Sequence, residues 1–294
     1  MYKALAVLFA VLVCGSISHG QDSGRQLRIS VLDFGDSPTG RLSAERLRAN
    51  LKADHRFAIS DTQLAMSAAK GSGYAGSLNL LVTEARDLGA ALDSDFYFIG
   101  DAQTLRRSPS QSPIYFESYC TVFIISSRTG QLLMWDRPSF QNTDKDAAEQ
   151  ALFSVLSGEN FRQKLVLAIF KGNEEERARR AVVVDVNQPL IEAPDNEKSA
   201  TEQGLSLPRP FRRLRPEYPE TAARADAEAI VDVIVDVRAD GEVEQVQIAR
   251  WGGFGLDEST VATVKKMHFF PAQQNGAAIA MRVLLRYNFR KPQL

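Results

Sequence analysis

Residues 216–290 read PEYPETAARADAEAIVDVIVDVRADGEVEQVQIARWGGFGLDESTVATVKKMHFFPAQQNGAAIAMRVLLRYNFR. Side chains alternate along a strand, so Ala229, Val231, Val233, Val235 and Val237 share one apolar face. Ile230, Asp232, Ile234 and Asp236 share the other. The last strand repeats the pattern, with Met281, Val283, Leu285, Tyr287 and Phe289 on one face and Arg282, Leu284, Arg286 and Asn288 on the other. Between them Leu256, Val261, Val264 and Met267 recur at roughly helical spacing, with Asp257 as a candidate N-cap. Asp240-Gly241 suits a tight hairpin because glycine tolerates positive φ. Val243, Val246 and Ile248 break the alternation once, which places a bulge in the second strand. One helix on a three-stranded antiparallel sheet buries both apolar faces. If the outer strands are neighbours, Asp232 and Asp236 lie opposite Arg282 and Arg286 and pair with them.

The order of these motifs resembles the C-terminal domain of the TonB family: PEYP (Pro216 to Pro219), a valine-rich strand, a glycine-broken link, Leu256-Asp257, FFPA (Phe269 to Ala272), Asn275-Gly276 and a last strand. Three positions depart from the family pattern. Glu228 and Ala229 stand where a Gly usually precedes the first strand. Met267 stands where a Trp is common, and Trp251 where a small residue is usual. Trp251 has two readings, an exposed aromatic used in binding or a cap on the core.

Upstream, the pattern alternates helix and strand from about residue 26 to 171. LRISVLDF (Leu27 to Phe34), FAIS (Phe57 to Ser60), FYFIG (Phe96 to Gly100) and Tyr115 to Ser126 read as strands. Thr129-Gly130 marks a hairpin into Leu132 to Asp136. Amphipathic stretches at Arg41 to Lys52, after Asp61, at Leu78 to Leu92 and at Asp144 to Phe170 read as helices. The result is a mixed α/β domain, and the fold class of the whole chain is α+β. This order of elements resembles the TolB N-terminal domain and CsgG-type envelope proteins, which implies a non-catalytic binding module. Residues 172–207 read as a linker, charge-dense at first and then Pro-containing, with one apolar patch at Val182 to Val184. The C-terminal domain takes residues 208–294. Four arginines, Arg209, Arg212, Arg213 and Arg215, precede PEYP. They read as a solvated linker or as a contact for acidic lipid headgroups or an acidic peptide.

Residues 1–20 read as a secretory signal: Lys3, an apolar run from Ala4 to Val13, and small residues Ser18 and Gly20 before Gln21. The apolar run is short for a membrane span, so cleavage before Gln21 and a periplasmic location are expected. An uncleaved leader would instead be an inner-membrane anchor. With Cys14 in the leader, Cys120 is the only cysteine expected in the mature chain, which excludes an intrachain disulfide. A net charge of −1 gives no argument for nucleic acid.

Catalytic signatures are missing. Gly71, Gly73 and Gly76 spell GxGxxG, but a helical stretch precedes them where a dinucleotide fingerprint needs a strand. His55, His268 and Cys120 are scattered, so neither a metal nor a cofactor is expected. The chain is expected not to be an enzyme. The TonB resemblance implies protein partners: an outer-membrane receptor or another envelope protein, and an inner-membrane proton-driven complex if the leader stays. An alternative is a periplasmic scaffold that uses the fold only for interaction. The candidate partner-binding residues are Tyr218, Pro219, Trp251, Arg282, Leu284 and Arg286, with the last strand as the receiving edge. The two arginines would favour an acidic or polar partner, or would only pair with Asp232 and Asp236.

Overall fold

The computed structural model describes residues 25–108, 113–181, 190–194 and 197–291. The expected signal peptide and Val182 to Val184 lie outside them.

The N-terminal half follows the expected order: β1 (Leu27–Val31), α1 (Pro38–Lys52), β2 (Phe57–Ile59), α2 (Thr62–Gly71), α3 (Val82–Ala91), β3 (Phe96–Arg107), β4 (Tyr115–Ser126), β5 (Leu132–Asp136), β6 (Ser139–Asn142), α4 (Lys145–Leu156) and α5 (Glu159–Ala181). Caps are local: Ser37 accepts from the Gly40 amide, Asp61 from Leu64 and Asp144 from Ala147. The single helix expected from Asp144 to Phe170 is two, with Gly158 between them, and the second runs on to Ala181. The sheet order is β2-β1-β3-β4-β5, with β6 also on β4. β1 pairs in parallel with both neighbours and the remaining pairs are antiparallel. The long apolar runs have a simple cause: helices cover both faces. Phe96, Phe98, Val122 and Ile124 enter the core that includes α1, α4 and α5. The residues between them, Tyr97, Ile99, Phe123 and Ile125, enter a second core with Ala65, Ala85 and Leu88 of α2 and α3.

The C-terminal part contains β7 (Ile191–Glu192), α6 (Glu197–Glu202), β8 (Leu205–Ser206), β9 (Arg209–Pro210), α7 (Glu220–Arg224), β10 (Ala229–Val237), β11 (Val243–Arg250), α8 (Leu256–Val264), β12 (Phe269–Phe270), β13 (Ala272–Gln274), β14 (Ala277–Ile279) and β15 (Met281–Phe289). β10 and β15 pair antiparallel along their full length, with Asp232 opposite Arg286 and Asp236 opposite Arg282. The expected bulge is present, since Asp236 pairs with Gln245 and Val237 with Val243. The valine face of β10 packs with Leu256, Val264 and Phe269 in one core.

Two expectations need correction. The main sheet has four strands, in the order β11-β10-β15-β7, because β7 adds in parallel to Met281 and Arg282. The segment expected as a linker over residues 172–207 is also partly folded. Ala200 and Leu205 are buried with Ala272 and Met281, and Ile191 and Leu207 pack around them. These few apolar residues are too sparse to signal a core by themselves. They become one only because Ala272 and Met281 wait on the domain they meet.

Candidate functional site: the β15 edge and the joint behind it

β15 lies between β10 and β7, but β7 covers only its first two residues. The Ala193 amide donates to the Arg282 carbonyl at 2.8 Å. Beyond Arg282, no strand among the described residues pairs with this side of β15. The stretch Val283 to Phe289 is therefore an open sheet edge with unpaired backbone groups.

Its outer face is an ordered row. Arg282 donates Nε and Nη2 to the two Asp236 carboxylate oxygens at 2.7 and 2.8 Å. Arg286 does the same to Asp232 at 2.7 and 3.0 Å. Arg250 from β11 adds a third hydrogen bond to Asp232 at 3.3 Å. Asp232 is fully buried beneath them. Both arginines therefore pair with the aspartates, one of the two readings open to the sequence, while Arg286 stays largely exposed. Between them Leu284 stands 57% exposed, an apolar side chain on an open edge.

Tyr218 and Pro219 lie elsewhere. The Tyr218 hydroxyl donates to the Ala227 carbonyl at 2.8 Å, and its ring sits 6.5 Å from that of Phe289. Burial raises its pKa. Pro219 is the N-cap of α7. Both belong near the far end of β15. Seven residues separate Phe289 from Arg282, roughly 24 Å at strand rise.

Trp251 is not on this surface. It is 1% exposed and completes the second core of the N-terminal domain. Its ring meets Phe123 edge-on at 5.5 Å, and its Nε1 donates to the Gly130 carbonyl at 3.1 Å. The reading of Trp251 as an exposed binding aromatic is thus corrected. It does cap a core, but that of the other domain. The glycines beside it make the approach possible. Gly253 has φ +71, and a Cβ there would come within 2.6 Å of the Phe123 ring. Phe254 packs 5.6 Å from Phe123 and 5.2 Å from Trp135. Asn79 closes the joint. Its amide nitrogen donates to the Ile230 and Trp251 carbonyls at 2.8 and 2.7 Å, and its oxygen accepts from the Ile230 amide at 3.1 Å. Arg250 donates to the Asn79 carbonyl at 3.0 Å. Sequence reading missed Asn79, Phe123 and Gly130 as joint residues. Asn79 and Ile230 are 151 positions apart, and no local spacing announces such a contact.

Asp257 holds the glycine link from the helix side. It is not the N-cap, a place taken by Gly255. Its two oxygens accept from the Gly252 and Gly253 amides, each at 2.8 Å. Burial pushes its carboxyl up to about 6, against the pull of those two amides, with Glu258 adding to the rise. Beside it runs a groove of 1020 Å³ lined by Leu132 to Trp135 of β5 and Gln245 to Ile248 of β11. Both strands are sheet edges. No group of three or more His, Cys, Asp or Glu that could hold a metal occurs among the described residues. The Cys120 thiol is buried, and desolvation pushes its pKa far up.

Residues 215–290 match the family model described as Gram-negative bacterial TonB protein C-terminal. This segment is a TonB C-terminal domain. It occupies about a quarter of the chain, and a domain of this family goes with an envelope location. Among solved structures, the chain is similar to the TonB C-terminal domain of Pseudomonas aeruginosa, at 22% identity, covering 30% of this chain and 91% of that one, with a TM-score of 0.26. It is also similar to the hypothetical protein CT253 from Chlamydia trachomatis, at 8% identity, covering 45% and 94%, with a TM-score of 0.32. A third is the LpoB C-terminal domain from Salmonella enterica, at 13% identity, covering 41% and 87%, with a TM-score of 0.29. No curated protein matches the chain. Among the described residues no helix is long and apolar enough to cross a membrane.

Proposed function

We propose that this TonB-like envelope protein works in the periplasm as a non-catalytic binding protein, and that TonB-dependent outer-membrane receptors are its partners in energised transport. The observation that carries this is the open edge of β15 from Val283 to Phe289, within the segment that matches the TonB family. An extended partner segment can add there as a strand. Main-chain hydrogen bonds would give affinity, and the Arg282, Leu284 and Arg286 row would read the partner's side chains. Tyr218 and Pro219 would meet only a partner long enough to reach Phe289. The N-terminal domain, with its resemblance to TolB and CsgG-type proteins, would dock a second envelope component. Transduction would further require an inner-membrane proton-driven complex and a retained leader.

The test is site-directed cross-linking. Leu284→Cys, carrying a photoreactive group, is mixed with detergent-extracted outer-membrane proteins. Lys70→Cys, on α2, is the control. Receptor adducts at residue 284 and none at 70 are expected. Adducts that are equal at the two positions, or that contain no outer-membrane receptor, would remove the proposal.

A periplasmic scaffold without energy transduction is the second reading. It is favoured by the Trp251 joint, which ties the TonB-like domain to the rest of the chain. The mass of the mature protein separates the two. A terminus at Gln21 favours the scaffold, and retained residues 1–20 favour transduction.

A further inference from the structure

The arginine run before PEYP is not a free linker. Arg209 lies in β9, which pairs with β12 so that Arg209 stands opposite Phe270 and Pro210 opposite Phe269. The Phe211 amide continues the ladder to the His268 carbonyl at 2.9 Å. Alternation sends Phe269 into the core and Phe270 out. Phe270 then stacks on Phe211 with ring centroids 3.9 Å apart and planes 27° from parallel. The two rings remain 53% and 62% exposed. Two large apolar side chains stacked on each other and still more than half exposed are costly in water, so their exposure needs a reason.

Basic residues gather around them. Arg209, Arg212, Arg213 and Arg215 are all exposed, and none forms an ion pair with another described residue. Lys265 and Lys266, exposed at the end of α8, precede His268. The adjacent acid, Glu242, is engaged by His268 at 2.8 Å.

We propose that the Phe211–Phe270 pair and the arginines around it form a docking surface for an anionic phospholipid bilayer. A bilayer interface supplies both things this patch lacks. Phosphate headgroups answer the arginines, and the acyl boundary takes the rings. A purely anionic peptide such as polyglutamate answers the charge alone and leaves two phenyl rings in water. The surface is separate from the β15 edge and stands whether or not that edge binds receptors.

The experiment is co-sedimentation of the purified chain with vesicles of phosphatidylethanolamine and phosphatidylglycerol, against vesicles of phosphatidylcholine, at low and high salt. Binding to the anionic vesicles alone, weakened by salt, is expected. Phe211→Ser with Phe270→Ser keeps every charge and should lower partitioning about tenfold. Arg212→Ser with Arg213→Ser should lower it about 25-fold, since each basic residue near such a surface contributes about fivefold. Thermal midpoints of both variants are measured to show that they fold. Phe211→Trp gives a readout independent of truncation, because a ring entering the interface shifts its emission to the blue. Three results would overturn the proposal. One is no binding to anionic vesicles. Another is a phenylalanine double variant that folds and binds like the parent, which would mean charge adsorption alone. The third is an emission unchanged by vesicles while a polyglutamate peptide binds.

Discussion

Asp257 carries a proton equilibrium that couples to stability. Its folded carboxyl, at about 6, lies above its ordinary value of 3.8 because burial disfavours the charge. A folded pKa above the unfolded one means that the native state binds the extra proton. Its contribution is therefore full below about pH 4 and is lost as pH rises to about 6, by up to roughly 3 kcal/mol. Asp257→Asn removes this titration but places an amide NH2 against one of the two glycine amides, at a cost of about 1–2 kcal/mol. Urea unfolding at several pH values checks this: the parent should lose stability relative to the variant between pH 4 and 6, and parallel curves would contradict it. Gly130 makes a second prediction. Its φ is +68, and a Cβ there would sit 2.0 Å from the Val82 carbonyl oxygen. Gly130→Ala should cost at least about 2 kcal/mol, combining strain with displacement of the carbonyl that Trp251 binds. A denaturation midpoint equal to the parent's would refute it.

β15 combines two jobs that separate by face. Inward residues such as Val283, Leu285 and Tyr287 pack on the domain core, while the outer row holds buried carboxylates in place. Arg286→Ala leaves Asp232 with Arg250 as its remaining cation. We expect a small loss of stability, kept small because Arg286 is more than half exposed and solvent screens its charge. Leu284→Thr should leave stability within about 0.5 kcal/mol yet weaken any partner that adds to this edge. Chemical denaturation of both, beside a binding assay, reads the split. A large stability loss for Leu284→Thr would show that the side chain supports the fold rather than the surface. The parallel bridge to β7 adds a consequence. A partner strand must begin beyond Arg282 or displace Ile191 and Glu192.

Trp251 makes the molecule more than two beads on a string. Deleting the indole opens a cavity in the second core and removes the hydrogen bond to Gly130, a loss of about 3–5 kcal/mol. Adding Asn79→Ala breaks three further hydrogen bonds. The parent should unfold in one calorimetric transition, and Trp251→Ala with Asn79→Ala in two, the first at lower temperature. Two transitions in the parent, unchanged by the substitutions, would mean that the joint contributes nothing to cooperativity.

The strands of the TonB-like domain were readable because period-two alternation is a local property, and a buried face needs that alternation wherever the strand ends up. The pairing of acids with arginines across the outer strands could also be read, since Asp232 and Asp236 would be costly to bury away from cations, but which acid meets which arginine came only from the folded register. Hairpin glycines and the Asp61 cap were equally local, whereas Asp257, a cap by local pattern, instead holds the Gly252 and Gly253 amides. The joint was not local. Trp251 beside three glycines is compatible with a solvent-facing aromatic or a capped core, and only the position of Phe123, 128 residues earlier in the sequence, decides between them. Asn79 carries no pattern at all, because a single amide gains its meaning from carbonyls brought to it by folding. The same holds for β7, a two-residue strand whose apolar content is too small to specify pairing until β15 offers an edge. Local periodicity thus set the elements and their faces, while contacts between residues far apart in the chain, invisible to any window of sequence, set how the two halves lock together.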